Sequence, residues 1–263
     1  MSKSGYYAWV NREPSKRTLN DSRLLIKIKA IYKRVKGRYG SPRIYQTLKY
    51  EGIFVGRKRV ARLMKLAGLK GRVTRVSTKQ RGFKLRHVKH ENHLLLHGNA
   101  TSLNEVWVAD VTYLKVKGKW QYLATIMDQC SRRILGWALA GYRTTKLTSR
   151  ALTYALKKRG YPKDVLFHTD RGVEFMGAEF QKILNRHNFK HSMNRAGYCT
   201  DNAFMESFYH SLKGELVRGT VFTTTAELHD SLRRYINQFY NAIRLHSGIG
   251  YQSPMKYEAQ YGV

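Results

Sequence analysis

The stretch Val106-Trp107-Val108-Ala109-Asp110-Val111-Thr112-Tyr113-Leu114 is apolar or β-favouring at every position but one. Val, Trp, Thr and Tyr suit a pleated, half-buried strand, whereas an aspartate in its middle is disfavoured by propensity and by loss of water. Two similar runs follow at Trp120–Asp128 and Arg133–Ala140, separated by Gly118 and by Cys130-Ser131. Three such runs with turn residues between them predict three consecutive antiparallel strands.

Downstream the period changes. Leu147, Ala151, Leu152, Ala155 and Leu156 repeat at helical spacing over about Lys146–Lys158 and stop at Gly160. Pro162 then precedes a buried strand at Val165–His168, and a helix is expected over Ala178–Asn188. After Asn202 a long helix is predicted to about Val217. Another starts at the capping box Thr224-Thr225-Ala226-Glu227 and carries Leu228, Leu232, Tyr235, Ile236, Phe239 and Tyr240. The sum is a mixed α/β layer architecture.

Upstream the pattern is helical throughout. Leu24, Leu25, Ile28, Ile31, Tyr32 and Val35 make residues 19–36 an amphipathic helix. Ser41-Pro42 reads as an N-cap and first helical position of a short helix that stops near Gly52. A third helix, from about Arg57 to Ala67, buries Val60, Leu63 and Met64 and ends at Gly68. Two short helices joined by a glycine-containing turn, the second bearing Arg57, Lys58, Arg59, Arg62 and Lys65, predict a helix-turn-helix unit with a basic recognition-type helix.

Charge narrows the partner. Lys and Arg number 49 against 17 Asp and Glu, for a net charge of +32, and residues 1–99 hold 26 of those cations but only 4 of the acids. Such a footprint points to nucleic acid. Between Lys70 and Lys89 eight cations, among them Arg72, Arg75, Lys79 and Arg81, stand without an acid or a sustained apolar period, which reads as a phosphate-tracking linker. The expected organisation is therefore a helix-turn-helix region at 1–69, a basic linker at 70–99, a catalytic core at 100–217 and a helical extension at 218–263. No apolar run is long enough for a membrane helix, and the N-terminus has no apolar leader core, so a cytoplasmic location without a membrane partner is expected. Cys130 and Cys199 are too few for a disulfide framework and read as packing residues. His87, His90, His93 and His97 lack the cysteine or carboxylate pair that would complete a tetrahedral metal site.

Three acids carry the candidate chemistry. Asp110 interrupts its strand, Asp170 follows the buried strand in His168-Thr169-Asp170-Arg171-Gly172, and Glu206 lies early in a helix among Phe204, Met205 and Phe208. Carboxylates converging from different elements are what two hard divalent cations need for in-line displacement at phosphorus. Lys213, seven residues after Glu206, shares its helix face and suits a phosphate rather than a metal. Asp128 and Glu174 fall outside this set: Asp128 is expected to cap a turn or to pair with Arg132 or Arg133, and Glu174 lies close enough to Asp170 to act from behind it.

With 35 residues between Asp170 and Glu206 and Asp110 upstream, the pattern resembles the DDE set of retroviral-integrase-type transposases. Arg38-Tyr39-Gly40-Ser41-Pro42-Arg43-Ile44, His168-Thr169-Asp170-Arg171-Gly172 and Tyr240-Asn241-Ala242-Ile243-Arg244-Leu245-His246 are similar to the OrfB-type chain of the insertion sequence three family. The resemblance implies a ribonuclease-H-like catalytic core and a Mg2+-dependent transposase, with Mn2+ as a substitute ion. It further implies terminal inverted repeats and target DNA as substrates, a homo-oligomer on DNA ends, an upstream OrfA-type partner, and a bacterial, nucleoid-associated location. A DNA-binding regulator without chemistry and a ribonuclease-H-like nuclease are the alternatives on the same fold.

Overall fold

A computed structural model describes residues 2–11, 13–72, 92–195 and 199–262. The chain divides into two compact units, Met1–Val73 and Thr74–Val263. Arg75, Lys79, Arg81, His87 and His90 and the side chain of Cys199 lie outside the described residues.

The first unit is helical: α1 (Lys3–Val10), α2 (Lys16–Arg34), α3 (Ser41–Tyr50) and α4 (Arg57–Leu66). Helix α2 starts earlier than its apolar period suggests, because the Ser15 side chain accepts from the Thr18 amide and caps the end. The cap of α3 is Gly40 rather than Ser41, with proline in the first turn. Leu24, Ile28 and Ile31 of α2, Ile44 and Leu48 of α3, and Val60, Leu63 and Met64 of α4 are buried in the core of this unit. The α3-turn-α4 pair is the expected helix-turn-helix, and Gly68 at φ +67° forms the predicted stop of α4. Helix α1 was not legible in the sequence, since its Tyr6, Tyr7 and Trp9 are exposed and show no buried face.

The second unit opens with the short α5 (His93–His97) and then the strands β1 (Val106–Val116), β2 (Lys119–Asp128) and β3 (Ile134–Ala140). Helix α6 (Thr145–Lys158), β4 (Leu166–Thr169), α7 (Ala178–Arg186) and β5 (Lys190–Met193) follow. The five strands are ordered β3-β2-β1-β4-β5, antiparallel among the first three and parallel from β1 to β5. This is the mixed sheet of the expected ribonuclease-H-like core. Strand β5 escaped the sequence reading because Lys190-His191-Ser192-Met193 contains no β-branched or aromatic residue.

One face of the sheet, with Trp107, Ala109, Ala124, Ile126, Leu135 and Phe167, packs on Leu147, Ala151, Leu152 and Ala155 of α6 and on Phe180 and Leu184 of α7. Gly136 lets α6 approach: a Cβ there would lie 2.6 Å from the Ala155 amide nitrogen. The expected long helix after Asn202 is α8 (Ala203–Leu212), running on as a π-helical turn at Lys213–Val217. Helix α9 (Thr225–Arg233) likewise continues as π-helix over Arg234–Tyr240, and α10 (Pro254–Glu258) closes the fold. At the predicted capping box the Thr224 hydroxyl accepts from the Glu227 amide, while the Glu227 carboxylate reaches back to Thr223 rather than to Thr224.

Asp128 does cap a turn, accepting from the Ser131 and Asn104 amides at 3.0 and 2.8 Å. Its ion pair is with Arg159 at 3.7 Å rather than with Arg132 or Arg133: Arg132 lies over the Phe204 ring, and Arg133 and Arg159 both bind Glu258. Cys130 is buried, as expected. Among the described residues no helix is long and apolar enough to cross a membrane.

Candidate functional site

Strand register brings two of the three acids together. The parallel ladder between β1 and β4 ends at the pair Ala109 and Thr169, so Asp110 and Asp170 are the next residues on neighbouring strands. Parallel strands in register run about 4.8 Å apart, and paired residues share a face. Each carboxylate is partly held by the backbone beside it: Asp110 Oδ1 accepts from the Val111 amide at 2.7 Å and Asp170 Oδ1 from the Gly172 amide at 3.0 Å. Burial and then the neighbouring Asp170 push the Asp110 carboxyl up to about 8. Burial and then Glu174 raise Asp170. Two acids that resist ionisation side by side form a pair whose charge a divalent cation would relieve.

Helix α8 carries the third acid. Asn202, at its N-cap, donates from Nδ2 to the Ala109 carbonyl at 3.0 Å, and the Tyr209 hydroxyl donates to the Asp110 carbonyl at 2.5 Å. Glu206 lies four residues after one anchor and three before the other, hence on the helix face that meets β1 at Asp110. It is exposed to solvent. Lys213, seven residues on, lies with Nζ 4.9 Å from the Tyr113 ring centre on β1. Burial lowers its pKa and the nearby Asp110 charge opposes that.

Two charged residues join the pair that sequence reasoning passed over or set aside. Arg143, in the loop from β3 to α6, donates from Nε to Glu174 Oε1 at 2.7 Å and stands with Nη2 3.5 Å from Asp170 Oδ2. Nothing in its own context, Gly141-Tyr142-Arg143-Thr144, marks it; only the turn of the chain brings it over the strand ends. Glu174 is buried, and its Oε2 has no hydrogen-bond partner among the described residues. Behind Asp170, His168 is enclosed between Ser192 Oγ at 2.9 Å and Asn194 Oδ1 at 2.7 Å, and burial lowers its pKa to about 4.

Does this donor set fit a hard divalent ion? The donors are oxygens, two carboxylates lie adjacent, and both Glu174 Oε2 and Asn202 Oδ1 are buried without a partner among the described residues, which suits such an ion. Among those residues no three His, Cys, Asp or Glu side chains are grouped so as to hold one ion together. Asp110 and Asp170 are thus brought side by side, whereas Glu206, on the helix held to β1, is not grouped with them among the described residues.

The predicted DNA contacts of the first unit separate into two kinds. Arg57, Lys58 and Lys65 are exposed and pair with no carboxylate among the described residues, and Arg72 is also exposed. Arg59 and Arg62 are instead bound to Asp21 of α2 at 2.7 and 2.5 Å, which lowers the Asp21 pKa.

Comparison with known proteins gives the family of the chain. Residues 19–76 match an HTH-like domain, and residues 100–199 and 206–261 each match an integrase core domain. The transposase for insertion sequence element IS904 of Lactococcus lactis is 36% identical over 95% of this chain and 98% of its own length. The transposase InsF for insertion sequence IS3A of Escherichia coli is 35% identical over 98% of this chain and 90% of its own. Among solved structures, the intasome of simian T-cell lymphotropic virus in complex with PP2A regulatory subunit B56 gamma matches in fold. Its TM-score is 0.51 at 14% identity, covering 81% of this chain and 69% of that one. The chain belongs to the IS3 family of insertion-sequence transposases, with a helix-turn-helix-like domain followed by an integrase core.

Proposed function

We propose that the chain cleaves DNA strands at the ends of an insertion element and joins them to target DNA, with Asp110, Asp170 and Glu206 as the catalytic ligands of two Mg2+ ions, replaceable by Mn2+. The observation that carries this reading is the adjacency of Asp110 and Asp170 at the end of the β1–β4 ladder. Bound ions would supply Lewis-acid activation of the attacking oxygen and neutralise the leaving one. The chain's own part is positional. Asp110 and Asp170 are fixed by the sheet, and Asn202 and Tyr209 hold α8 to β1, with Glu206 on the helix turn between those two anchors. Lys213, an ammonium that cannot ligate a cation, lies where it would steady a phosphate.

DNA ends are held in this reading by Arg57, Lys58, Lys65 and Arg72 of the first unit, assisted by Arg75, Lys79 and Arg81 of the basic stretch. Arg59 and Arg62 contribute less, because they share the single carboxylate of Asp21. The substrates are terminal inverted repeats and target DNA. The chain acts as a homo-oligomer with an upstream OrfA-type partner, at the nucleoid in the bacterial cytoplasm. Residues 1–69, 70–99, 100–217 and 218–263 serve as DNA-binding region, linker, catalytic core and helical extension.

The test is substitution with isosteric amides. Asp110→Asn, Asp170→Asn and Glu206→Gln keep shape but remove charge, so each is expected to lower cleavage and strand transfer at least about 10²-fold while end binding survives. A variant that keeps near-parental strand transfer in Mg2+ removes that residue from the ligand set. Cleavage of an RNA–DNA hybrid in preference to DNA ends would favour the nuclease reading instead.

A further inference from the structure

The guanidinium of Arg143 stands beside Asp170, one of the paired aspartates. It lies between two acids of unequal exposure. Glu174 has a side chain only 1% exposed, and the Thr148 hydroxyl donates to its backbone carbonyl at 2.7 Å, so Glu174 is a fixed anchor. Nη2 pairs with Glu174 Oε1 at 2.5 Å but meets Asp170, which is 34% exposed, only at 3.5 Å, beyond hydrogen-bond length, so Asp170 is the looser partner. Arg143 itself is 41% exposed and can withdraw. Gly172 makes room for the arrangement: a Cβ there would overlap the Glu174 carboxylate and lie 2.8 Å from Arg143 Nη2. Burial works against the Arg143 charge, but Glu174, Asp170 and Asp110 together more than offset it.

We propose that Arg143 is a built-in counter-cation that competes with the divalent ion for Asp170, and that Glu174 sets the strength of this competition by holding the guanidinium. The proposal rests on the metal-site reading above and adds a device for loading it. With Glu174 anchoring Arg143, the contact to Asp170 stays long and yields easily to an ion. Without Glu174's charge, the guanidinium has only the aspartates to bind and holds Asp170 against the ion. Without the guanidinium, one positive charge leaves the neighbourhood of the ligands and the ion binds more tightly. The two partners of one ion pair thus act on metal affinity in opposite directions, and Glu174 does so only while Arg143 is present, which two independent charges would not do.

The experiment is a Mn2+ titration of the full chain without DNA, read by electron paramagnetic resonance of the free ion. Arg143→Gln is expected to tighten Mn2+ binding, and Glu174→Gln to weaken it, each by about fivefold or more for a unit charge a few ångströms from the site. The double variant should keep the tightened affinity of Arg143→Gln, because Glu174 acts through the guanidinium; a return to the parental affinity would mean two independent charges and overturns the proposal. If Arg143→Gln alone does not fold, comparing the double variant with Glu174→Gln still isolates the guanidinium, whose removal must then tighten binding. Shifts of the same sign in the two single variants, no shift in either, or no tightening in that second comparison overturn the proposal. Asp110→Asn and Asp170→Asn serve as controls. If they leave Mn2+ binding intact the metal-site reading fails, whereas loss of binding in them with parental affinity in Arg143→Gln sinks only the role given to Arg143.

Discussion

Tyr209 holds Asp110 by its backbone rather than by its carboxylate. The phenol donates to the Asp110 carbonyl at 2.5 Å and accepts from the Thr125 hydroxyl at 2.7 Å, tying α8 to β1 and β2 at the row that contains the candidate ligand. Asp110 and Thr125 are cross-strand partners, so one side chain spans both strands. Tyr209→Phe keeps the ring and strands two buried polar groups, a loss of about 1–3 kcal/mol. Strand transfer should fall at least about tenfold with end binding retained, since α8 also carries Glu206. Parental melting and activity in Tyr209→Phe would show that the helix is placed by apolar packing alone.

His168 gives the stability of the core a pH dependence whose sign follows from its enclosure. In the unfolded chain the imidazole protonates near 6.5, in the fold only near 4. Between those values the unfolded chain binds more protons, so the stabilisation is complete above about 6.5 and is lost as pH falls towards 4. The loss amounts to about 3 kcal/mol at most. His168→Gln can still bond to Ser192 and Asn194 but does not titrate. Denaturant melts of parent and variant at pH 7 and pH 4 check this: the parent's stability relative to the variant should decline between the two. A constant difference would mean that His168 keeps its charge state through the transition.

Much of this fold was legible because its burial pattern is local. The β1–β3 meander, α6 and the two short helices of the first unit announce themselves by period and by turn residues, and Asp110 stands out because it breaks its own strand. Asp170 could be read from its place after a buried run. The residues that hold the site were not legible, because their roles exist only across long loops. Arg143 meets Glu174 from 31 positions away and Asn202 meets Ala109 from 93. Glu174 was in view but could not be weighed, since its burial and its unpartnered oxygen are properties of the folded chain. Strand β5 was missed for the opposite reason, a parallel edge position that imposes little on residue type.

The stretch Tyr240 to His246 turns out to be a structural lock. Asn241 bonds through its side chain to both the amide and the carbonyl of Ile134 at 2.9 Å, and Arg244 donates to Glu215 at 2.8 Å while both are buried. Glu215 follows Lys213 in the π-helical turn, so this pair fixes the far end of the segment that carries Glu206. Removing one partner of a buried ion pair costs about 3–5 kcal/mol, because the other is left uncompensated. Arg244→Ala should therefore lower the melting temperature sharply. Arg244→Met combined with Glu215→Leu should recover most of the loss. If the double variant is as unstable as the single one, the hydrogen bonds rather than the charges hold this junction.

The basic face of α4 is not uniform, and DNA binding should register the difference. Each phosphate neutralised by a free cation releases counterions and adds about 0.9 to the slope of log affinity against log salt. Arg57, Lys58 and Lys65 are exposed and available for this, whereas Arg59 and Arg62 are bound to Asp21 and serve to join α4 to α2. Alanine at Lys58 or Lys65 is expected to flatten the slope by close to one unit with no change in melting. Gln at Arg59 or Arg62 is expected to change the slope by less than half of that and to lower the melting temperature of the chain instead. The measurement is fluorescence anisotropy with a labelled transposon-end duplex between 50 and 200 mM salt, alongside thermal melts of each variant. Equal slope changes in all four would mean that the guanidinium groups leave Asp21 when DNA arrives. No slope change in any would mean that α4 does not face the duplex at all.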